Sequence, residues 1–291
     1  MLARRRPILI VILAVLVLAG VLVVVSRPGT TSTCGTISAP GGGRWHCTFD
    51  DEFDGSTLDP AHWQVVKTTQ YGFHSGAECY VDDGQHVGVG RGVLTLTVTH
   101  SAEPVGCGGI STQYASGMVT SSGHFAQLYG RFEIRAKLPA EAGLQPALWM
   151  YPQAQTYGRW PTSGEIDIAE LFGSSPGSVA AHLHYRGRDG LPTSQGGSCS
   201  VSDPAGEFHT YGVDWTPTSI AFEVDGRQCA DFTNWQPNQP LSQPAPFDHP
   251  FYILLELALG NTSPNLPSAA TALPASMEVD YVRAWGSSTA Q

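Results

Sequence analysis

Strict alternation of apolar and polar residues dominates this chain. Val93-Leu-Thr-Leu-Thr-Val-Thr99 repeats with period two, and Gly130-Arg-Phe-Glu-Ile-Arg-Ala-Lys-Leu138 puts Phe132, Ile134, Ala136 and Leu138 on one face against Arg131, Glu133, Arg135 and Lys137 on the other. Tyr211–Trp215 and Ile220–Val224 flank a Thr-Pro-Thr turn, and Asp225-Gly226 then supplies a hairpin turn. The alternation sends Trp215 to the core side. Phe251–Leu259 is apolar on both faces, as in a central strand, and Met277–Trp285 closes the pattern. Strands at short spacing, with no amphipathic helices between them, predict an all-β, antiparallel sandwich. From Trp45 to Trp285 there is neither a second linker nor an internal repeat, so residues 44–287 read as one domain.

The N-terminus follows other rules. Arg4, Arg5 and Arg6 precede an uncharged apolar run from Ile8 to Val25, 18 residues, just enough for a helix to span a bilayer. The basic flank places the N-terminus on the cytoplasmic side. Residues 1–26 read as a signal-anchor, with a cleaved signal peptide as the alternative, because Val24-Val25-Ser26 is a poor but passable cleavage site. Both readings export the rest, either membrane-anchored facing outward or secreted. Residues 27–43, rich in Gly, Ser, Thr and Pro, read as a flexible linker.

Export changes the meaning of charge and cysteine. Without Arg4, Arg5, Arg6 and Arg27, 11 basic residues face 25 acidic ones, a net charge near −14. That excludes nucleic acid, which needs a basic footprint, and is compatible with a neutral polymer. Cys34, Cys47, Cys79, Cys107, Cys199 and Cys229 form an even set outside the cell, the signature of three disulfides. Of about 15 pairings, the local ones Cys34–Cys47, Cys79–Cys107 and Cys199–Cys229 are favoured because they close short loops. A metal site on these cysteines is disfavoured because no C-x-x-C occurs. Nothing points to oligomerisation, and a monomer is expected.

The chemistry concentrates in Ser163-Gly-Glu-Ile-Asp-Ile-Ala-Glu-Leu171. Glu165 and Asp167 share a strand face, with Ile166 and Ile168 opposite. Glu170 breaks the alternation. A β-bulge near Ala169 would return it to the acidic face, and three carboxylates would then line one cleft. Such a row suits a retaining glycosidase, whose two working carboxylates stand about 5–5.5 Å apart. Crowded like charges also keep at least one acid protonated near neutral pH. A solvated acidic strand or a calcium site is the plainer alternative, and the apolar residues between the acids argue against it.

Trp160-Pro-Thr-Ser-Gly-Glu-Ile-Asp-Ile-Ala-Glu170 resembles the active-site signature of the family-16 glycoside hydrolases, the laminarinase-like endo-β-glucanases. The E-x-D-x-x-E spacing resembles their bulged branch, not the E-x-D-x-E lichenase branch. Phe49–Gly55 with Leu58-Asp59 and Trp63, Tyr129–Pro139, Phe208–Trp215 and Val279–Val282 resemble further family motifs in the same order, so the likeness covers nearly the whole exported part. The resemblance implies a concanavalin-like β-jelly roll with a concave cleft, Glu165 as nucleophile, Glu170 as general acid/base and Asp167 as the assisting residue. It implies no cofactor for catalysis.

Departures lie in the cleft walls. Gln145-Pro-Ala-Leu-Trp149 stands where many relatives have Trp-Pro-Ala-Phe-Trp. Glu256 stands where the family often carries an amide, and Gly260-Asn-Thr-Ser-Pro264 replaces its usual Gly-Gly and Trp-Pro-Gly elements. The expected substrate-binding set is Trp160, Trp149, Arg159, His184 and Glu256, with His182 sharing the face of His184. Trp149 is equally consistent with a core position, and the two histidines and Arg159 with plain surface roles. By the same resemblance, Glu52 and Asp280 are the side chains for a structural calcium ion on the outer face.

These readings converge on an exported retaining endo-glycosidase acting on a polysaccharide, with β-1,3-glucan as the first expectation. Hydrolysis or transglycosylation of another β-glycan, such as an envelope galactan, is the alternative. A non-catalytic glycan-binding protein is a third reading, disfavoured because a binder has no use for all three acids.

Overall fold

The computed structural model describes residues 34–287. The apolar run read as an anchor or signal lies outside the described residues. Among those described, no helix is long and apolar enough to cross a membrane.

In chain order the strands are β1 (Thr36–Ser38), β2 (Arg44–Asp51), β3 (Gln64–Val65), β4 (Glu78–Tyr80), β5 (Val87–Gly90) and β6 (Val93–Cys107). They continue with β7 (Ile110–Ser116), β8 (Met118–Thr120), β9 (Gly130–Lys137), β10 (Leu144–Pro152), β11 (Glu165–Leu171) and β12 (Ser178–Arg186). The last six are β13 (Pro192–Ser200), β14 (His209–Trp215), β15 (Ile220–Val224), β16 (Arg227–Phe232), β17 (Phe251–Leu259) and β18 (Ala275–Gly286). A single turn of helix, α1 (Thr68–Tyr71), sits between β3 and β4.

Two sheets make a sandwich. The larger runs β16-β15-β14-β9-β18-β6-β7-β4, with β1, β2 and β5 alongside, and the smaller runs β13-β12-β11-β10-β17-β8-β3. The predicted runs all appear as strands, and Asp225 and Gly226 turn the β15–β16 hairpin with φ of 51° and 70°, the left-handed pair that a two-residue hairpin needs. One face of each sheet enters a common core. Phe132, Ile134, Ala136 and Leu138 come from the β9 segment, Trp215 from β14, and Ile166, Leu183, Ile253 and Leu255 from the smaller sheet.

The smaller sheet is apolar on its second face as well. Along β17, Phe251, Ile253, Leu255, Leu257 and Leu259 point into the core, while Tyr252, Leu254, Glu256 and Ala258 line a cleft. Along β10, Leu144, Leu148 and Met150 point inward, and Gln145, Ala147, Trp149 and Tyr151 face that cleft. The concave face predicted for this fold is therefore the outer face of the smaller sheet, and along β10 and β17 period-two alternation decides which residues reach it.

Disulfides join Cys34 to Cys47, Cys79 to Cys107 and Cys199 to Cys229, the local pairing expected. The last links β13 to β16, the edge strands of the two sheets. The first changes the expected domain boundary. Residues 34–43 belong to the folded unit, because β1 pairs with β2 (Thr36↔His46, Ser38↔Arg44) and Cys34 packs with Trp45 and Trp285. Residues 27–33 of the expected linker lie outside the described residues.

Candidate active site

β11 carries the acidic row. Asp167 pairs with His182 on β12, but Glu170 pairs with Ala180, so three steps along β11 match two along its neighbour. On the other side Trp149 pairs with Asp167 and Leu148 with Ala169. The extra residue is thus accommodated at Ile168–Ala169, where the bulge was expected. Both of these side chains join the core, and Glu165, Asp167 and Glu170 all line the cleft.

Each carboxylate has its own support. Glu170 accepts a hydrogen bond from His182 Nδ1 (2.7 Å, to Oε2) and another from Gln145 Nε2 (3.1 Å, to Oε1). His184 Nε2 stands 3.0 Å from Asp167 Oδ2 and 3.9 Å from Glu165 Oε1. The two imidazoles come from one face of β12, paired with Asp167 and Glu165 respectively, and lie 5.6 Å apart between ring centres. The Trp160 ring is 6.1 Å from that of His184.

The electrostatics follow from crowding without water. Burial, then Asp167, then Glu170 push the Glu165 carboxyl well above its usual range, while His184 and a hydrogen bond from Trp160 pull the other way. Asp167 is the most enclosed of the three, 3 % exposed, and burial followed by Glu170 and Glu256 raises it strongly. Both carboxyls are thus biased toward their neutral form by the same crowding and burial.

The whole cleft, about 670 Å³, is within the range of ordinary ligand sites. Tyr71, Phe73, Trp149, Tyr151, Trp160 and Tyr252 give it aromatic walls. Trp149, only 9 % exposed, packs on Ala147, Leu254, Met118, Val66 and Tyr80 and forms the floor, which resolves its position in favour of the cleft side of the sheet. Trp160, 49 % exposed, stands at the rim beside Glu165.

Glu256 lies at the bottom of the cleft, buried, and accepts hydrogen bonds from Tyr80 Oη (2.5 Å) and Ser75 Oγ. Burial lifts its pKa to about 7 against the opposing pull of these hydroxyls. A second buried acid, Glu78, is spent on backbone: Oε1 accepts from Ser75 N and Gly76 N, and Oε2 from Leu259 N. It thereby ties the segment bearing Phe73 and Ser75 to the end of β17.

Two expectations are corrected. Arg159 is exposed in the turn before β11, where its carbonyl accepts from Thr162 N, and it is not among the residues lining the cleft. Glu52 and Asp280 do not converge on a cation. Arg283 holds Glu52 in a two-pronged pair at 2.7 and 2.9 Å, and Arg135 takes Asp280. A carboxylate neutralised by its own guanidinium is a poor ligand for a hard cation, so this pair does not fit the calcium site.

Sequence reasoning did not find Tyr71, Phe73, Ser75 or Tyr80. Ser75 and Tyr80 are 181 and 176 residues from the Glu256 they support, and no local periodicity signals such a contact.

The model of the family "Glycosyl hydrolases family 16" matches residues 73–283. A β-glucanase of Rhodothermus marinus is 35 % identical over 254 residues, 83 % of this chain and 85 % of that protein. Glucan endo-1,3-β-glucosidase A1 of Niallia circulans is 34 % identical over 271 residues, covering 86 % of this chain but 39 % of that longer protein. The solved laminarinase of Rhodothermus marinus superposes with a TM-score of 0.71 at 35 % identity, covering 83 % of this chain and 97 % of that one.

Proposed function

The chain belongs to the family-16 glycosyl hydrolases, and from that premise we propose that it cleaves internal β-1,3 linkages of a glucan with retention of configuration. The observation that carries the proposal is the bulge at Ile168–Ala169, which brings Glu165, Asp167 and Glu170 to one cleft face. The named activities of the β-glucanase and endo-1,3-β-glucosidase relatives support the choice of glucan.

In this reading Glu165 attacks the anomeric carbon and a glycosyl–enzyme ester forms. The departing glycosidic oxygen takes a proton from Glu170. A water then yields a proton to Glu170 and its oxygen breaks the ester, restoring both carboxyls. Asp167, the most buried of the three, lies between them on the same face, where its crowding with Glu165 and Glu170 disfavours all three being charged at once. His182 and Gln145 fix both oxygens of Glu170, which holds the proton donor in place for both half-reactions. The aromatic walls offer flat apolar faces to sugar rings. An acceptor sugar in place of water would make the same intermediate a transglycosylation donor.

The domain is proposed to act outside the cytoplasm. Its three disulfides fit an oxidising compartment, and the apolar N-terminal run supplies the route there. Incubation with defined β-glucans, with product lengths and anomeric configuration followed by NMR, tests the reaction. Short oligosaccharides first released as β-anomers are expected. Inert β-1,3-glucan, or first-formed α-anomers, would overturn it.

A further inference from the structure

The two histidines of β12 do more than flank the acids. His182 and His184, at a spacing of two, present their rings on one face opposite Asp167 and Glu165. One ligand atom from each of Asp167, Glu170, His182 and His184 falls within 4.8 Å of every other. The group contains two imidazole nitrogens and two carboxylate oxygens, a donor set that suits zinc, cobalt or copper and that calcium and magnesium avoid.

A second observation points the same way. Asp167 is 3 % exposed, and no hydrogen bond reaches its Oδ2. His184 Nε2 is 3.0 Å away but does not align with it. A buried carboxylate oxygen without a hydrogen bond is costly, and this one is directed toward the group formed with His184, Glu170 and His182. Further support surrounds the set. Gln145 Nε2 holds the second oxygen of Glu170, the kind of outer contact that orients metal ligands. Gly196 on β13 leaves the space that the His182 ring fills from behind.

We propose that Asp167, Glu170, His182 and His184 form a binding site for a divalent transition-metal ion, and that the bound ion switches the enzyme off. The charges of the set balance: two carboxylates and two neutral imidazoles around a divalent ion carry no net charge. Ligation of the ion by His182 and Glu170 would replace the hydrogen bond that now joins them. Glu170 would then have no proton to give to a leaving group. Because two ligands are the assisting and acid/base groups, metal and catalysis exclude each other. Free zinc or copper outside the cell would set the fraction of active enzyme. The inhibitory half of this inference rests on the hydrolytic reading; the metal-binding half does not.

Cobalt(II) is the probe, since a site of this kind gives intense visible d–d absorption. Titration of the exported domain should show one ion per chain, displaced stoichiometrically by zinc. His182→Gln and His184→Gln should each weaken cobalt binding by about tenfold or more, and the zinc concentration that halves each variant's own residual activity should rise in step. A labelling experiment needs no variant. Zinc should protect His182 and His184 of the wild-type domain from diethyl pyrocarbonate, as read by peptide mass spectrometry. The proposal is overturned by the absence of visible bands at saturating cobalt, by unprotected histidines, or by bands that survive both substitutions. A protein that binds cobalt as described yet hydrolyses no glucan would refute the hydrolytic reading and leave the site standing.

Discussion

Gly196 and His182 face each other across β13 and β12, and a Cβ built on the glycine would lie 2.7 Å from the imidazole Cδ2 and 2.9 Å from Nε2. The ring fits only because that strand has no side chain at this point. Gly196→Ala is therefore expected to push His182 off Glu170. Misplacing an acid/base by a fraction of an ångström costs turnover more than binding, so kcat should fall by about 10–100-fold with KM little changed. Steady-state kinetics on a soluble β-glucan, with a melting curve to confirm folding, would check this. Unaltered kcat would separate His182 from the chemistry.

Glu165→Gln should reduce hydrolysis by on the order of 10⁴-fold while leaving oligosaccharide binding by calorimetry nearly intact. Glu170→Ala should differ in kind. With an aryl glycoside that needs no protonation, azide should restore turnover and yield a β-glycosyl azide. An α-glycosyl azide from the Glu170 variant, the product of azide standing in for a missing nucleophile, would reverse the two assignments.

Glu256 makes a prediction about stability. Its folded pKa of about 7 lies above the ordinary value of 4.5, so between these values the folded chain holds a proton that the unfolded chain releases. Stability from this group is full below the lower value and declines as pH rises through the higher one, by about 3 kcal/mol in all. Glu256→Gln keeps an uncharged side chain and should remove this decline. Guanidinium unfolding of both proteins from about pH 5 to about pH 8 should show the variant gaining on wild type as pH rises. A variant that loses ground to wild type as pH rises would contradict burial as the dominant influence.

Cys79 and Cys107 are 28 residues apart in sequence, and opening a loop of that size should cost about 3 kcal/mol. Cys79→Ser with Cys107→Ser should lower the melting temperature accordingly. It should also raise KM, because Tyr80, next to Cys79, supports Glu256. A stability loss with no change in KM would mean that the disulfide serves the scaffold alone.

What could be read from the chain follows the reach of its interactions. The bulge was legible because Glu165, Asp167 and Glu170 must share a face for the chemistry and an unbroken strand cannot supply it. The two-sided nature of β17 was visible in Phe251–Leu259, though of its even positions only Glu256 was read as facing the cleft, and Tyr252, Leu254 and Ala258 gave no hint of it. Ser75, Glu78 and Tyr80 were invisible, since they act on residues over 170 positions away. The Cys34 region looked like a linker because Gly-rich sequence without alternation hides a strand of three residues, β1, held by its neighbour and a disulfide. Glu52 and Asp280 were expected as cation ligands from the family resemblance, and sequence does not show that two arginines, Arg283 and Arg135, already neutralise them.

The bulge also ties the chemistry to the interior. Ile168 and Ala169 both point into the packed core, and Ala169 is fully buried opposite Leu148. The next residue along the backbone is Glu170. Any volume added or removed around Ala169 is transmitted through one peptide unit to the proton donor, since a close-packed interior does not absorb it. Leu148 never meets the sugar, yet it and its neighbours act as a set-screw on the distance between donor and nucleophile. Changes in rate can therefore originate in greasy residues that a survey of the cleft would pass over.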